Sequence, residues 1–556
     1  MGVLVKFLIS FVTFFVFFGL TFSTTSRADH PIREFFALHQ RTGILEAKDW
    51  EEVHQLVSTL IPGKDRVTPE LQEIFYQIEE EFYPTLTPEN QSQYQSLLAE
   101  FAGKFKNSDL AIQIPQKQIP FWIEGEDDFK KYRSAPTLPT TADIVVIGAG
   151  LTGSSAAYHL IDAAKSGKTV VVLESVHPAS QSSGKNGGNF QLLPESYLGR
   201  SYHGLIEERL KWLRTQSPSL SDDTLRPQAT QQAQTLVQFS FLNMNRIKKI
   251  MSAEKLDCDF SPNGWLRIAS TKKEEKALLD EIPWLTNLGA KGIEILTPEQ
   301  IQHETHIPAQ YAGRLIRESG NYHPYKFVKE ILKKALAENV FLYTGIEVNQ
   351  ISPARKGEVT IKTSEGQISA KRVIVATNAF TPRLFPELKG IECVPSQVVT
   401  LNHIQNHLQG RTITERYGDI YYNLPQSTHR TDSDGNPEGM LLYGLDFASP
   451  VSDPREMKPS PELLREQMQQ IYRRFPEVEG QPPSCVWVGA MGFSADRVPS
   501  IGFLSEDVII AAGFQGYGGS FCIEAGYNAA QMALTGETPA EVPAELFSPK
   551  RLLNRP

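Results

Sequence analysis

Apolar residues recur along the chain in two patterns, which divide it into an early helical part and a later part of mixed helices and strands. In residues 29–112 they recur at helical spacing, as Trp50, Val53 and Leu56 do, so we predict a small helical module there. A proline-rich connector, residues 113–141, follows. Beyond the connector, short β-branched runs alternate with helix-like segments, a pattern that predicts an α/β fold.

The first 28 residues have a pattern of their own. Lys6 supplies an early positive charge, and residues 7–22 carry no further charge and are mostly apolar. Ser26 and Ala28 then have the small-x-small spacing of a signal-peptidase site. We predict an export signal, because the run is at the short end for a membrane span; the alternative is a retained membrane anchor. Either would place the protein outside the cytoplasm, free in the periplasm or associated through its N-terminus with a membrane and facing the periplasm or the extracellular side.

Charge and cysteine usage exclude some classes of function. The 556 residues include 64 acidic and 55 basic side chains, for a net charge of −9, so no strongly basic field is present to bind nucleic acid. The four cysteines form no CxxC pair, and we predict no metal site and interpret them as buried free thiols.

A glycine motif marks the start of the α/β part. The run "DIVVIG" predicts a buried parallel strand, and "GAGLTG" supplies Gly148, Gly150 and Gly153 in the order G-x-G-x-x-G. The first glycine permits a tight turn, the second lets the backbone approach a pyrophosphate, and the third lets helix and strand pack closely. Leu151 and Thr152 begin the helix, whose free N–H groups would face the phosphates. We predict a dinucleotide site here.

Two later features favour FAD as the dinucleotide. Glu174 ends the next strand, 26 positions after Gly148, where a carboxylate accepts hydrogen bonds from ribose hydroxyls and repels the 2′-phosphate of NADP. Ser175 follows it. The loop "ASQSSGKNGGNF" then brings backbone N–H groups and small side chains to a second part of a long cofactor. Its candidate cofactor-binding residues are Ser183, Gly184, Lys185, Asn186, Gly187 and Gly188.

Several motifs in this order resemble the D-amino-acid oxidase superfamily of FAD-dependent oxidoreductases. The most similar branch contains the glycine and sarcosine oxidases and the γ-glutamylputrescine oxidases. The resemblance covers roughly residues 142–552 and rests on "GAGLTG", "LES", "SSGKNGG", "LDCDFSPNGWLRIA", "ESGNYHPYKFVKEIL", "KRVIVATNAFT", "WVGAMGFSADRVPSIG" and "AAGFQGYGGSFCIEAGYNAAQMALTG".

This resemblance implies the architecture. An FAD-binding Rossmann-like domain of the GR2 type would be interleaved with a substrate domain, an α+β unit built on a mixed sheet. The FAD-binding parts would be residues 142–190, 326–384 and 486–552, and the substrate domain would be residues 191–325 and 385–485.

The resemblance also implies further cofactor contacts. They are Val348, Thr377, Asn378, Gly492, Asp496, Gly513, Phe514, Gly516 and Gly518. The glycine-rich loop before the last long helix would direct helix N–H groups at the negative charge of reduced flavin. Because Cys522 and His177 lie in no familiar attachment motif, we predict that FAD is bound non-covalently.

The implied reaction oxidises a C–N bond of a small amine or amino acid. Hydride would pass to flavin N5, and the product imine would be hydrolysed by water. Tyr422, Arg497 and Tyr517 are candidate catalytic residues. Alternatively, Arg497 is a structural salt-bridge partner and Tyr422 is a core residue. Asn423 stands where the family often has arginine, which weakens the expectation of a carboxylate clamp at that point.

Two other functions remain open from the sequence. The N-terminal run and the helical module also suit a membrane-associated flavin dehydrogenase subunit that passes electrons to a quinone or cytochrome instead of oxygen. The departure at Asn423 also allows a flavin-binding protein without amine turnover.

Overall fold

The computed structural model describes most of the chain from the connector onward. The described residues are 87, 89–90, 93, 112–116, 118–123, 129–190, 192, 194, 201–355, 357–405, 408, 410–415, 419–425, 438–447 and 449–553. The predicted export or anchor segment, residues 1–28, and nearly all of the predicted helical module lie outside them. The chain separates into two compact units, Met1–Asp109 and Leu110–Pro556, and the second is described below.

The strands and helices follow one another in the predicted alternation. The strands are β1 (Thr141–Ile147), β2 (Val170–Glu174), β3 (Asn189–Phe190), β4 (Trp265–Ile268), β5 (Ile293–Leu296), β6 (Gly313–Ile316), β7 (Gly320–Asn321), β8 (Val340–Thr344), β9 (Val348–Arg355), β10 (Glu358–Thr363), β11 (Gly366–Val375), β12 (Ile391–Gln405), β13 (Thr412–Glu415), β14 (Asp419–Pro425), β15 (Glu438–Asp446), β16 (Cys485–Ser494), β17 (Ser500–Ser505) and β18 (Val508–Ala512).

The helices connect and cover these strands. They are α1 (Leu151–His159), α2 (Ile161–Lys165), α3 (Ser182–Lys185), α4 (Tyr202–Gln216), α5 (Asp222–Glu254), α6 (Lys272–Asp280), α7 (Ile282–Asn287), α8 (Pro298–Thr305), α9 (Pro324–Ala337), α10 (Thr381–Leu384), α11 (Pro461–Arg474), α12 (Gly518–Thr535) and α13 (Ala544–Phe547). Short 3-10 turns lie at Phe121–Ile123, Asn378–Phe380, Pro386–Leu388, Pro476–Val478 and Pro549–Leu552.

The first sheet carries the glycine motif. Its strands lie in the order β17-β18-β11-β1-β2-β8, with β10 and β9 added as an antiparallel extension from β11. The five strands from β18 to β8 in this order are parallel. Every residue of β2 and β18 is buried, as a strand covered on both faces requires, which explains their continuous apolar runs.

Over the described residues, the second sheet, like the first, has eight strands, but it is mostly antiparallel. Its order is β16-β12-β15-β14-β13-β4-β6-β5, and only its β13–β4 pairing is parallel. Helix α11 packs on β12 and β15 above an apolar cluster that includes Leu441, Leu464 and Met468. The two sheets confirm the predicted mixed α/β fold. Strand β16, which the sequence analysis assigned to the cofactor part, pairs with β12 of the second sheet along its whole length.

The last long helix lies unusually close to the helix of the glycine motif. A Cβ atom added to Gly526 of α12 would lie 2.3 Å from the carbonyl oxygen of Thr152 in α1. No side chain fits at that distance, so the glycine is needed for the two helices to pack. The hydroxyl of Ser155 in α1 donates a hydrogen bond to the Ile523 carbonyl of α12, at 2.7 Å. The start of α12 is therefore fixed beside the start of α1.

The proline-rich connector packs against the fold instead of spanning it as a free linker. Trp122 is 2% exposed, and Phe129 is also buried. The Ser134 N–H donates to the Leu342 carbonyl of β8 at 2.9 Å, and the Leu342 N–H donates to the Ser134 hydroxyl at 2.8 Å. The four cysteines are buried free thiols.

Candidate active site

A cavity of about 490 Å³ lies where the two sheets face each other. Its first wall is formed at the carboxyl ends of β1, β2 and β11, through Ile147, Glu174 and Thr377. Its opposite wall comes from the second sheet, through Val398 and Gly444 among others. The carboxyl edge of a parallel sheet is where open α/β folds bind their ligands, so this cavity is the candidate site.

The glycine motif forms one end of this cavity, and its three glycines have different roles. Gly148 has φ +97°, and an added Cβ would lie 2.8 Å from the Ala376 carbonyl oxygen. At Gly150 an added Cβ would lie 2.6 Å from the Ser183 hydroxyl, in the cavity wall. Gly153 does not line the cavity; its Cβ would collide with the Gly148 carbonyl oxygen at 1.8 Å. Gly148 is needed for the tight turn against Ala376, Gly150 lets the start of α1 lie against Ser183 in the cavity wall, and Gly153 lets α1 begin beside the turn.

Glu174 is a buried carboxylate whose oxygens are already partly used. Oε2 accepts the Ala149 N–H at 2.9 Å, and Oε1 accepts the Val176 N–H at 3.0 Å and the Ser175 hydroxyl at 3.2 Å. The side chain lines the cavity and the residue is 8% exposed. These bonds fix the carboxylate beside the glycine motif, in the position expected of a ribose acceptor.

The loop from Ser182 to Gly188 closes the cavity beside Glu174. Its Ser183 hydroxyl accepts the Leu151 N–H at 2.9 Å, which ties the loop to the first turn of α1. Lys185 lines the cavity, and burial lowers the pKa of its ammonium group. Its Nζ lies 3.4 Å from the Gln181 side-chain oxygen, and no described carboxylate lies within ion-pair distance of it.

Asn378 joins three segments that are distant in sequence. It follows β11 with φ +44°, and its side-chain oxygen accepts the N–H groups of Gly513 and Phe514 at 3.0 and 3.4 Å. An added Cβ at Gly492 of β16 would lie 2.6 Å from that same oxygen. The sequence analysis named all four residues separately, and the structure brings them together.

Helix α12 begins at the cavity wall, where Tyr517, Gly518, Gly519 and Cys522 line it. Its positive N-terminal end therefore lies beside the ligand space. Asn243 of α5 holds this end: its side-chain oxygen accepts the N–H groups of Ile523 and Glu524 at 3.0 Å, and its amide donates to the Gly519 carbonyl at 2.8 Å. The sequence analysis did not identify Asn243.

The second sheet contributes a row of paired residues to the opposite wall. Val398 of β12 pairs with Gly444 of β15, and Thr414 of β13 pairs with Arg267 of β4. Ile420 of β14 lies between the two pairs in register. A Cβ added to Gly444 would meet Val398 only at 3.8 Å, so the glycine leaves open space in the wall.

Most of the predicted cofactor residues line this cavity. They are Gly148, Gly150, Leu151, Thr152, Glu174, Ser175, Ser183, Lys185, Asn186, Gly187, Val348, Thr377, Asn378, Gly492, Phe514, Gly516 and Gly518. Those that do not line it are Gly153, Gly184, Gly188, Asp496 and Gly513. Gly184 is a packing position, because an added Cβ there would lie 2.2 Å from the Ala179 carbonyl oxygen.

Two predicted residues, Asp496 and Arg497, follow β16 and do not line the cavity. Asp496 is buried in an ion pair with Arg551, at 2.6 Å between Oδ2 and Nε, and therefore joins the 3-10 turn Pro549–Leu552 to the fold. Arg497 has φ +59° and its guanidinium lies 4.9 Å from the centre of the Phe493 ring. Of the candidate catalytic residues, Tyr517 lines the cavity and Arg497 does not. Tyr422 pairs through its backbone with Thr412 and Leu442, and its side chain lies outside the described residues.

The residues present fit a flavin dinucleotide. A buried carboxylate suited to a ribose, a glycine-cleared helix N-terminus suited to a pyrophosphate, and a second helix N-terminus at Gly518 line one continuous cavity. Gly148 and Gly150 line the cavity with backbone alone, so a ligand can approach the start of α1 without meeting a side chain at these two positions.

Comparison with known proteins agrees with this geometry. γ-Glutamylputrescine oxidoreductase of Escherichia coli K12 is 28% identical over 399 residues, which is 70% of this chain and 83% of that protein. Monomeric sarcosine oxidase of a Bacillus species is 23% identical over 74% of this chain and 98% of that protein. The crystal structure of L-proline dehydrogenase from P. horikoshii has the same fold, with a TM-score of 0.58, 21% identity, and coverage of 74% of this chain and 98% of that one.

The family match settles the cofactor and the class of enzyme. The profile of the DAO family, described as FAD dependent oxidoreductase, matches residues 143–532, which is most of the chain. The predictions of family, enzyme class and FAD are therefore confirmed. This chain belongs to the DAO family of FAD-dependent oxidoreductases.

Proposed function

We propose that this enzyme oxidises a C–N bond of a small amine that lacks an α-carboxylate. The observation that carries the proposal is the charge pairing around the cavity. Each cavity-lining arginine of the described chain is paired with a carboxylate: Arg267 with Glu274, Arg383 with Glu347, and Arg455 with Asp453. A guanidinium already neutralised in this way gains less from a substrate carboxylate.

The most buried of these pairs lies in the second sheet. The side chains of Arg267 and Glu274 are 3% and 6% exposed, and Glu274 is held further by the Ser270 N–H at 2.8 Å. Releasing Arg267 to bind a substrate would leave the Glu274 charge buried without its partner. The guanidinium is therefore fixed in its present pairing, and the wall beside it binds through Thr414, Gly444 and Val398.

Lys185 differs from these three arginines in its pairing. Among the described residues that line the cavity, it is the cation without a carboxylate partner, and burial lowers the pKa of its ammonium group. In its charged form, this ammonium group repels a protonated substrate and favours the neutral amine, which is the form that can be oxidised.

FAD, when bound, supplies the acceptor for the hydride that leaves the carbon beside the substrate nitrogen. The chain's own contribution is electrostatic and geometric. The start of α12, with Gly518 and Gly519, presents N–H groups to the cavity, and these stabilise negative charge that develops beside them. The apolar Val398 and Met491 side chains exclude water from the opposite wall. The lower local dielectric constant strengthens this electrostatic stabilisation.

Anaerobic reduction of the bound flavin tests the proposal. Matched pairs of substrates, a primary or secondary amine and the α-amino acid with the same side chain, are mixed with the enzyme and the flavin absorbance is followed. We expect the amine of each pair to reduce the flavin at least about tenfold faster. The difference corresponds to one charged contact, because the carboxylate of the amino acid would find no unpaired guanidinium among the described residues that line the cavity. Faster reduction by the amino acids would contradict the amine assignment, and no reduction by either class would contradict C–N oxidation.

We also propose that the enzyme works after export or at a membrane, and passes electrons to oxygen or a quinone. The support is the uncharged apolar run at residues 7–22, which lies outside the described residues. Within the part of the chain that the structure describes, no helix has the length and apolar character to cross a membrane. Cell fractionation of the full chain and of a version beginning at residue 29 tests export. Reoxidation of reduced enzyme by oxygen and by a quinone tests the acceptor.

A further inference from the structure

Trp122, in the connector, lies against the loop that forms one wall of the cofactor cavity. The family match begins at residue 143, so the tryptophan precedes the part of the chain that the family defines. It is nevertheless 2% exposed and belongs to the main apolar cluster. A large buried side chain from a connector needs a structural reason.

The contacts of Trp122 concentrate on the outer side of that loop. Its indole N–H donates a hydrogen bond to the Asn186 carbonyl at 2.9 Å. An added Cβ on Gly188, which has φ +70°, would lie 2.8 Å from two atoms of the indole ring. Ile123, the next residue, is within 3.0 Å of the corresponding position on Gly184. Within this loop, Gly184 and Gly188 do not line the cavity, and they form the surface against which the connector packs.

The inner side of the same loop lines the cavity. Asn186 lines it and also closes the loop on itself, because its side-chain oxygen accepts the Gly188 N–H at 2.7 Å and its amide donates to the Ser183 carbonyl at 2.8 Å. Ser183 in turn accepts the Leu151 N–H of the glycine-motif helix. A displacement of Asn186 would therefore move Ser183 and the first turn of α1.

On its other face, Trp122 contacts the start of α9. The indole and the His323 ring meet edge to face, with 4.9 Å between their centres. His323 caps α9 by accepting the Lys326 N–H at 3.2 Å, and the preceding Tyr322 N–H donates to the Gly188 carbonyl at 2.7 Å. Tyr322 also lines the cavity. Trp122 fills the space between a fixed helix start and the cofactor loop.

We propose that Trp122 is a positioning residue for FAD: it holds the Ser182–Gly188 loop in the conformation that binds the cofactor. The connector thereby completes the cofactor site from outside the family-matched segment. Without the indole, the loop has to be ordered by FAD itself, and the conformational entropy lost in ordering it is subtracted from the affinity. This proposal concerns cofactor binding and does not depend on the substrate.

The test is the dissociation constant of FAD in the full chain, measured from the flavin fluorescence released on dilution. We expect Trp122→Ala to weaken FAD binding by about tenfold or more, which corresponds to one or two ordered loop residues. Trp122→Phe keeps an aromatic ring beside His323 but removes both the indole hydrogen bond and the Cζ2 and Cη2 atoms nearest Gly188, so it should recover only part of the affinity lost in Trp122→Ala. It also serves as the informative variant if Trp122→Ala does not fold.

Phe129→Leu is the matched control, because Phe129 is equally buried in the connector but packs on Tyr132, with ring centres 5.3 Å apart. It should lower the melting temperature of the FAD-free protein without changing the FAD dissociation constant by more than about twofold. The visible circular dichroism of bound flavin should change in Trp122→Ala and not in Phe129→Leu. Unchanged FAD affinity in both Trp122 variants, or equal weakening by Trp122→Ala and Phe129→Leu, would overturn the proposal.

Discussion

Replacing Glu174 with glutamine tests the assignment of the ribose-binding carboxylate. A carboxylate offers about four positions for hydrogen-bond donors. Three are filled by the Ala149 N–H, the Val176 N–H and the Ser175 hydroxyl. About one position is left for a hydroxyl of the cofactor. The structure therefore predicts a single charge-assisted hydrogen bond between Glu174 and FAD.

The size of the effect follows from this count. A hydrogen bond to a charged group contributes about 1.5–3 kcal/mol, so its loss should weaken FAD binding by roughly 10- to 150-fold. The amide oxygen of glutamine can still accept from Val176 and Ser175, but its NH₂ group then meets the Ala149 N–H, donor against donor. That mismatch should lower the free energy of unfolding of the FAD-free protein by about 1–3 kcal/mol.

Both quantities can be measured on the same preparation. FAD titration gives the dissociation constant, and denaturant unfolding of the FAD-free protein gives the stability. Glu254→Gln is a control of the same chemistry, because Glu254 accepts the Tyr158 hydroxyl at 2.6 Å and does not line the cavity. An FAD affinity of Glu174→Gln within about twofold of the wild type would refute the single-bond reasoning.

Three further predictions concern other described groups. Arg267→Met leaves the buried Glu274 carboxylate unpaired and should lower the free energy of unfolding by about 3–5 kcal/mol. The double variant with Glu274→Gln should recover much of this loss. If denaturant unfolding shows that the losses of the two single variants add in the double variant, the pairing is contradicted. The hydrogen bond to Glu281 raises the pKa of His203, so the stabilisation from this pair is fully present below about pH 6.5 and is lost as pH rises through the raised pKa. In His203→Gln the melting temperature should depend less on pH in that window. An unchanged dependence of melting temperature on pH would contradict this assignment. Burial raises the pKa of the Cys522 thiol to about 12, so iodoacetamide should not alkylate this thiol in the native protein at neutral pH. Because FAD is predicted to bind non-covalently, acid precipitation should release free flavin. Flavin retained on the precipitate would contradict non-covalent binding.

The local part of the cofactor site was predictable from the sequence because its chemistry is local. Gly148, Gly150 and Glu174 follow from the needs of one turn, one helix start and one strand end, and they line the cavity as expected. The separate role of Gly153 also follows from that motif, since a third glycine serves packing.

The second wall of the site was not predictable, because it depends on strand register. Val398, Gly444, Thr414 and Arg267 come together only through the order β12-β15-β14-β13-β4, and a single sequence carries no direct signal for that order. Asp496 shows the opposite difficulty. Its position beside a familiar motif indicated a cofactor contact, while its carboxylate binds Arg551, 55 residues later.

Trp122 was present in the sequence as a large apolar residue inside a proline-rich stretch, and the stretch was interpreted by its composition. Prolines indicate a linker only when the residues between them have nothing to pack against. Here the tryptophan meets glycine surfaces at 184 and 188, which are visible only after the loop has folded.

The interleaving of the two sheets sets the order in which the enzyme can mature during synthesis. Gly148 leaves the ribosome early, but the wall that contains Gly518 and Cys522 is made about 370 residues later. At about 5–20 residues per second, the nascent chain spends roughly 20–70 s with a glycine motif and no enclosed cavity. FAD can therefore be captured stably only after nearly the whole family-matched segment has been translated, and a chain interrupted before α12 is expected to be colourless.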